Sequence, residues 1–269
     1  MVPLISGCGF MLLAIDIGNT NIDVGLFKGE ELYTNWDLAT DIYKTSDEYA
    51  VIIVSLLRQQ GLSPADIEQA VICSVSPPLV PVFREFCQHY LNVLPLMVEA
   101  GVKTGISILM DNPREVGPDR IVNAVGGHHI YGGPLIVIDL GTATTFDVVS
   151  EKGDYLGGAI APGIKIATES LFQRTAKLPR VDLVRPKHVI GRDTITAMQS
   201  GFIFGYVGLI EGLIARIQNE LGTKTRVIAT GGYADLLAKE TEVIEIVAPY
   251  LTLTGLRIIH ERNMGKKHV

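Results

Sequence analysis

Two short acidic motifs follow apolar stretches of the chain, and both combine residue types that suit phosphate chemistry. The first is residues 16–20 (Asp-Ile-Gly-Asn-Thr) and the second is residues 139–142 (Asp-Leu-Gly-Thr). A glycine lets the backbone turn sharply and approach a ligand closely. The neighbouring Asn or Thr can donate hydrogen bonds to phosphate oxygens, and a strand-end Asp can hold a hydrated Mg²⁺ or another cation. The motifs therefore indicate a site for nucleotide phosphates.

The two motifs also form an internal repeat. A single Asp-x-Gly is common in ordinary turns, but here each copy ends an apolar run, residues 11–17 and 135–140, and each is followed by a second β-type run. Almost half the chain separates the copies. This pattern predicts an α/β protein of two duplicated halves, residues 11–125 and 126–269, with an active-site cleft between them.

A third motif, Gly117-Pro118-Asp119-Arg120, stands where a helix is predicted to begin. In one interpretation Asp119 complements the helix dipole and Arg120 is solvated. In the other, Asp119 is a general base facing a substrate hydroxyl, and Arg120 binds a substrate carboxylate through two hydrogen bonds. A carboxylate with an ordinary pKa of about 3.9 suffices in phosphoryl transfer, because that catalysis is mostly positioning and charge stabilisation.

Other nucleotide signals are weaker or missing. The pair Gly231-Gly232 follows an apolar run and could let a purine ring lie against the backbone, although such pairs also commonly precede helices. The sequence contains no P-loop, no protein-kinase glycine-rich loop and no HEXXH motif.

Hydrophobic periodicity supplies the framework that must position these residues. A helix over residues 46–60 is predicted to have Ser46 as its N-cap and to end at Gly61. The stretch 194–221 is rich in small residues and apolar almost all round, so we expect a helix buried on most faces, in a domain or subunit interface. Further strands are predicted at residues 22–27, 31–38, 70–75, 144–150, 155–160 and 226–230, and further helices at residues 79–91, 118–129 and 252–262, with another helix after Gly232 and a frayed tail at 266–268.

The composition excludes several classes of protein. Apolar residues make up 47% of the 269 and charged residues 19%, which predicts a folded core rather than disorder. The net charge of −6 argues against a nucleic-acid partner, which would need a basic surface. The three cysteines, Cys8, Cys73 and Cys87, form no CxxC pair, which favours free, buried thiols in a reducing cytosol.

The chain also lacks the usual signals for a metal centre or for export. The six histidines show no metal-ligand spacing with cysteine. No run of 18 uninterrupted apolar residues occurs, and residues 1–10 have no basic segment of the kind that begins a signal peptide. We therefore expect a cytoplasmic protein with no membrane partner, and Met11 is a candidate start.

Several longer stretches occur in order along nearly the whole chain, from about residue 11 to residue 263. Each alone is a weak signal, but the ordered set is highly specific. Through it the sequence resembles type III pantothenate kinase. The stretches are residues 16–22 (DIGNTNI), 112–123 (NPREVGPDRIVN), 139–145 (DLGTATT), 157–163 (GGAIAPG), 175–179 (TAKLP), 201–205 (GFIFG) and 253–257 (LTGLR).

This resemblance implies the acetate and sugar kinase/Hsp70/actin fold, with two ribonuclease-H-like halves like those of actin-like ATPases. It implies ATP-dependent phosphorylation of pantothenate to 4′-phosphopantothenate, the first step of coenzyme A biosynthesis. The implied cofactors are ATP with Mg²⁺ or another divalent cation, and a monovalent cation, K⁺ or NH₄⁺. The implied assembly is a homodimer with pantothenate near the dimer interface.

The same resemblance implies roles for individual residues. Asp119 would accept the proton, Asp139 would bind the monovalent cation, and Asp16 is a candidate ligand of Mg²⁺. The implied ATP-binding residues are Asp16, Ile17, Gly18, Asn19, Thr20, Asn21, Ile22, Asp23 and Thr142. The implied pantothenate-binding residues are Met110, Gly117, Pro118, Asp119, Arg120 and Thr194, with Thr194 coming from the other subunit.

Two positions depart from the family pattern. Met110 stands where many members have a substrate-contacting Tyr, and it can fill the same apolar space without offering a hydroxyl. Pro118 replaces a small or aliphatic residue and should stiffen the turn before the helix.

Other functions occur on the same fold, so fold alone cannot decide. A sugar or other small-metabolite kinase is the nearest alternative, and a non-enzymatic regulatory relative is another. A chaperone would need an extra peptide-binding domain, for which 269 residues leave no room. A regulatory relative should have lost its phosphate-binding residues, yet Asp16, Asp119 and Asp139 are all present.

Overall fold

The computed structural model describes residues 11–264. The predictions about residues 1–10, including Cys8 and a start at Met11, and about the tail at 266–268 concern residues outside this range. The strands are β1 (Met11–Ile17), β2 (Asn21–Lys28), β3 (Glu31–Ala39), β4 (Ile67–Ser74), β5 (Leu96–Met97), β6 (Leu135–Leu140), β7 (Ala143–Val149), β8 (Tyr155–Pro162), β9 (Arg226–Thr230) and β10 (Ile246–Val247). The helices are α1 (Ser46–Gln59), α2 (Leu79–Tyr90), α3 (Pro118–Tyr131), α4 (Ile164–Arg174), α5 (Thr194–Leu221), α6 (Ala234–Ala238) and α7 (Leu251–Met264).

The strands form two five-stranded mixed sheets, and the chain divides into two compact units. The first unit contains residues 11–105, 114–126 and 252–264, and the second contains residues 106–113 and 127–251. This mixed α/β architecture with two similar sheets confirms the predicted duplicated, ribonuclease-H-like fold class. The predicted domain boundary between residues 125 and 126 and the predicted cleft stay predictions.

The first sheet has the strand order β3-β2-β1-β4-β5, with β1 antiparallel to β2 and parallel to β4. Its apolar side chains alternate between two faces, as the two-residue period of a strand requires. One face packs against α1 and α2 through a buried cluster that includes Leu13, Ile15 and Phe83. On the other face of the first sheet, Leu253 of α7 lies against Gly25 of β2.

Helix α1 begins with a capping box. The side chain of Thr45 accepts a hydrogen bond from the Glu48 N–H, and the Glu48 carboxylate accepts one from the Thr45 N–H at 2.8 Å. The prediction that Ser46 is the N-cap is therefore wrong by one residue. Thr45 takes the role because its extended backbone places its hydroxyl beside the third N–H of the helix, which Glu48 carries.

The second sheet has the strand order β10-β9-β6-β7-β8, with β6 antiparallel to β7 and parallel to β9. Helix α5 packs along the apolar core of this unit through side chains such as Phe202, Ile203 and Ile210. The predicted strands 135–140 and 226–230 and the predicted helix 194–221 are confirmed with the same bounds. Gly222 ends α5 in the left-handed conformation, with φ of 67°.

The single chain leaves part of α5 uncovered, and its predicted burial on most faces in a domain or subunit interface stays a prediction. Only part of the helix is covered by its own unit, and Gly201, Gly205 and Gly208 are exposed, with no atom within 4 Å of the place a Cβ would occupy. Within residues 11–264, α5 is also the one helix with the length and hydropathy of a membrane span, and 39% of that window is buried. Core helices of soluble proteins share this composition, so this is weak support for a membrane segment.

Candidate functional site

The first acidic motif forms the turn between β1 and β2. Asp16 is the penultimate residue of β1, and the Gly18 N–H donates to the Asn21 carbonyl at 2.9 Å. A Cβ on Gly18 would lie 2.8 Å from that carbonyl oxygen, so only glycine fits this turn without movement. Thr40 braces the loop, because its hydroxyl donates to the Gly18 carbonyl at 2.8 Å and its N–H donates to the Thr20 carbonyl at 2.9 Å.

Carboxylates form a row across the first sheet next to this turn. Asp16 pairs with Asp23 across β1 and β2, and Asp23 pairs with Asp37 across β2 and β3. Paired residues of neighbouring strands project to the same face, so the three side chains share one face. Burial, and then the charge of Asp37 and a hydrogen bond to it, raise the pKa of Asp23 to about 6. The row therefore gathers three acidic side chains on one face of the first sheet.

Cys73 continues this row on the other side of Asp16. It pairs with Asp16 across the parallel strands β1 and β4, and its side chain is fully buried. Burial raises the pKa of the thiol well above its ordinary value, and the charges of Asp16 and Asp119 and a hydrogen bond to Asp16 add to the rise. Cys73 is therefore a neutral thiol in contact with Asp16 and near Asp119.

Asp119 lies in the first turn of α3, as predicted. Its Oδ1 accepts a hydrogen bond from the Arg120 N–H at 2.9 Å. Burial raises the pKa of the Asp119 carboxyl, although that hydrogen bond and the positive charge of Arg120 act in the opposite direction. A Cβ on Gly117 would lie 2.5 Å from Asp119 Oδ1, so the glycine leaves the space that the carboxylate occupies. The first unit thus gathers Asp16, Cys73 and Asp119.

The second acidic motif forms the matching turn between β6 and β7 in the second unit. The Gly141 N–H donates to the Ala143 carbonyl at 3.0 Å, and Thr142 at the tip is exposed. The Asp139 carboxylate lies close to two glycines. A Cβ added to Gly141 would lie 3.1 Å from Asp139 Oδ1, and one added to Gly231 would lie 2.6 Å from it. Gly231 has φ of +88°, which glycine adopts without strain.

The two remaining candidate residues also belong to the second unit. The segment before Met110 is held by the Leu109 N–H, which donates to the Tyr155 carbonyl at 2.8 Å. Met110 Sδ lies 3.0 Å from the place a Cβ would take on Gly157, so that glycine makes room for it. Thr194 is the exposed first residue of α5, next to the N-cap Asp193.

Comparison with known protein families decides what this arrangement belongs to. The family model described as type III pantothenate kinase matches residues 12–216. The chain belongs to the type III pantothenate kinase family. Membership makes it a kinase, and this confirms the predicted family and enzyme class.

Curated members of the kinase family match over almost the whole chain. A type III pantothenate kinase from Moorella thermoacetica is 55% identical over 253 residues, covering 94% of this chain and all of the relative. One from Dehalococcoides mccartyi is 51% identical over 254 residues, covering 94% and 98%.

Solved structures show the same fold at low identity. A Baf-family protein from Campylobacter jejuni aligns with a TM-score of 0.61 and 21% identity, covering 94% of this chain and 98% of that one. Component A of the (R)-2-hydroxyglutaryl-CoA dehydratase of Acidaminococcus fermentans aligns with a TM-score of 0.52 and 15% identity, covering 92% and 95%. At these identities the likeness concerns the fold alone.

Sequence reasoning missed two residues beside the first motif. It treated Cys73 as an idle thiol and did not consider Asp37. Cys73 and Cys87 are both free and buried, as predicted, but only Cys73 contacts an acidic motif. The signal that could have found Cys73 is its position in the predicted strand at residues 70–75, close to where that strand ends. Asp37 could be found only from the register of β2 with β3.

Proposed function

We propose that this kinase transfers the γ-phosphoryl group of ATP to the hydroxyl of pantothenate and produces 4′-phosphopantothenate for coenzyme A biosynthesis. The observation that carries the proposal is the half-buried Asp119 carboxylate with a raised pKa at the start of α3, in the unit that also holds Asp16. Its raised pKa makes it a better proton acceptor than an exposed aspartate. The family supplies the expected substrate, and the named relatives supply the expected reaction.

In the proposed reaction Asp119 accepts the proton of the pantothenate hydroxyl as the oxygen attacks the γ-phosphorus in line. The bond from the γ-phosphorus to the β–γ bridging oxygen breaks, and ADP leaves. Most of the rate enhancement comes from positioning and from charges that oppose the developing negative charge. Asp119 orients the hydroxyl, while its hydrogen bond from the Arg120 N–H keeps the carboxylate in place.

The ATP phosphates are assigned to residues 16–23 and to Thr142. Backbone N–H groups of this turn and the Thr20 hydroxyl would donate to phosphate oxygens, and Asp16 would hold a divalent cation together with those oxygens. Mg²⁺ usually takes one or two carboxylates and completes its shell with phosphates and water.

Asp139 is assigned to the monovalent cation. Its carboxylate oxygen lies in a space left by Gly141 and Gly231. Carboxylate and carbonyl oxygens suit K⁺ or NH₄⁺, and a cation there would offset charge on the phosphates. The assignment follows the expectation from the family, and the carboxylate of Asp139 is a chemically suitable ligand for such a cation.

Pantothenate binding is assigned to Gly117, Pro118, Asp119 and Arg120, to Met110, and to Thr194. Arg120 would bind the pantothenate carboxylate, because a guanidinium pairs with a carboxylate through two hydrogen bonds. Met110 would supply an apolar contact without a hydroxyl.

The active assembly is proposed to be a cytoplasmic homodimer, with Thr194 reaching the partner's substrate. The exposed glycines of α5 support it, because small residues let two helices approach closely. Exposed apolar side chains at and just before the start of α5 add to this support, since Ile195 is 50% exposed and Ile190, in the preceding loop, is 82% exposed. Sedimentation should give twice the chain mass, and a monomer at working concentrations would contradict this assembly.

A coupled assay of ADP release tests the proposed reaction. The full-length protein is assayed with ATP and Mg²⁺, with and without pantothenate and K⁺, and with hexoses in place of pantothenate. ADP release should require pantothenate and K⁺ together. Equal release with a hexose would favour a sugar kinase, and release independent of any acceptor would contradict the proposal.

A further inference from the structure

Cys73 lies beside an acidic residue of the first sheet, which is an unusual place for a cysteine that only fills the core. It is fully buried, and its Cα pairs with that of Asp16 across β1 and β4. The apolar cluster under α1 and α2 contains Ile72 of β4 but not Cys73. Since neighbouring residues of a strand project to opposite faces, the Cys73 side chain lies on the face that carries Asp16.

The contacts of Cys73 are with acidic groups. The in-register pairing on one face places the thiol beside the Asp16 carboxylate, and Asp119 is near enough to interact with it electrostatically. A carboxylate accepts hydrogen bonds, so the thiol must be the donor in this contact.

We infer that Cys73 is a positioning residue that fixes the orientation of the Asp16 carboxylate through an S–H hydrogen bond. The inference rests on the proposed role of Asp16 at the ATP phosphates. A neutral donor suits that role, because it restricts the rotation of the carboxylate without cancelling the charge that a divalent cation needs. Groups that hydrogen-bond a metal-ligating side chain fix its orientation, and their loss weakens metal binding or activity.

Three substitutions separate hydrogen bonding from packing. Cys73→Ser keeps a donor in a slightly smaller side chain, Cys73→Val keeps the volume without a donor, and Cys73→Ala removes both. Cys87→Ala is the matched control, because Cys87 is equally buried in the first unit but only burial raises the pKa of its thiol. The free energy of unfolding of each variant is measured first, so that destabilisation by a cavity can be told apart from an effect on ATP binding.

Steady-state kinetics then give KM for Mg·ATP, KM for pantothenate and kcat. Because a thiol is a weak donor, we expect Cys73→Val and Cys73→Ala to raise KM for Mg·ATP about three- to tenfold. Cys73→Ser should stay within about twofold of the wild type, and KM for pantothenate should hardly change. If Cys73→Val does not fold, Cys73→Ala carries the test.

Two results would overturn the inference: unchanged KM for Mg·ATP in the variants without a donor, or an equal rise in Cys73→Ser or Cys87→Ala. Failure of the proposed reaction is distinguishable, since it would appear as an inactive wild type. Failure of the Asp16 assignment would appear as an Asp16→Asn variant with normal dependence on Mg·ATP.

Discussion

Asp23 of β2 and Asp37 of β3 are paired across their strands, and their side chains share a hydrogen bond. Burial raises the pKa of Asp23 to about 6, and the charge of Asp37 and the shared hydrogen bond, which requires one of the two carboxyl groups to be protonated, add to the rise. Asp23 is half-buried and Asp37 is exposed. The pair therefore makes the stability of the first sheet depend on pH near neutrality.

Asp37→Asn should stabilise the fold at pH 8 and have little effect near pH 4. The folded pKa of Asp23 lies above its unfolded value of 3.8, so its stabilising contribution is complete below that value and is lost as the pH rises through about 6. The shift corresponds to at most about 3 kcal/mol, and solvent exposure should reduce the gain to about 1 kcal/mol. Urea unfolding of the wild type and of the variant at pH 4 and pH 8 measures this gain in the free energy of unfolding. Glu68→Gln, an exposed carboxylate of β4 in the same sheet, is the control, and an equal gain there would show a general charge effect instead.

His260→Leu in α7 should raise the free energy of unfolding. His260 is 1% exposed, and within residues 11–264 neither ring nitrogen has a hydrogen-bond partner. Removing these two buried groups should gain about 1–2 kcal/mol at pH 8. Burial also lowers the pKa of His260 below 6.5, so the wild-type fold loses stability as the pH falls below 6.5, and the gain should be larger at pH 5.5. Denaturation at both pH values tests this, with exposed His129→Leu as control. A loss of stability at both would refute it.

Gly231→Ala should disturb the Asp139 carboxylate and raise the K⁺ concentration needed for half-maximal activity. The added Cβ would lie 2.6 Å from Asp139 Oδ1. Gly132→Ala is a matched control, because Gly132 also has a positive φ, +72°, but no atom within 4 Å of the added Cβ. Both variants place alanine at a positive φ, but only at Gly231 would the added Cβ also lie 2.7 Å from the Leu140 carbonyl carbon, so a K⁺ titration separates left-handed strain from crowding around Asp139. Identical titrations in the two variants would refute the Asp139 assignment.

Local sequence signals were enough for most of the elements and for both acidic turns, because strand ends and glycine turns depend on neighbouring residues. The exact N-cap of α1 was missed, since Thr45 and Ser46 are both good caps and only the backbone geometry separates them. The two-residue strands β5 and β10 carry no periodicity of their own.

The residues around Asp16 were harder to predict because they come from distant strands. The contact of Cys73 with Asp16 depends on the register of β4 with β1, and the pairing of Asp23 with Asp37 depends on that of β2 with β3. A cysteine and a surface aspartate carry no motif that reveals such neighbours. The exposure of the α5 glycines likewise depends on which side of the helix meets the second sheet.

Turnover of Asp119→Asn tests the central claim most directly. Asparagine keeps the size of the side chain and can still accept the hydrogen bond from the Arg120 N–H, but it cannot accept the substrate proton. With ATP, Mg²⁺, K⁺ and pantothenate, kcat should fall by a factor on the order of 10²–10⁴ while the free energy of unfolding and KM for Mg·ATP stay close to the wild type. A variant that keeps full activity would contradict the assignment of Asp119 as the base.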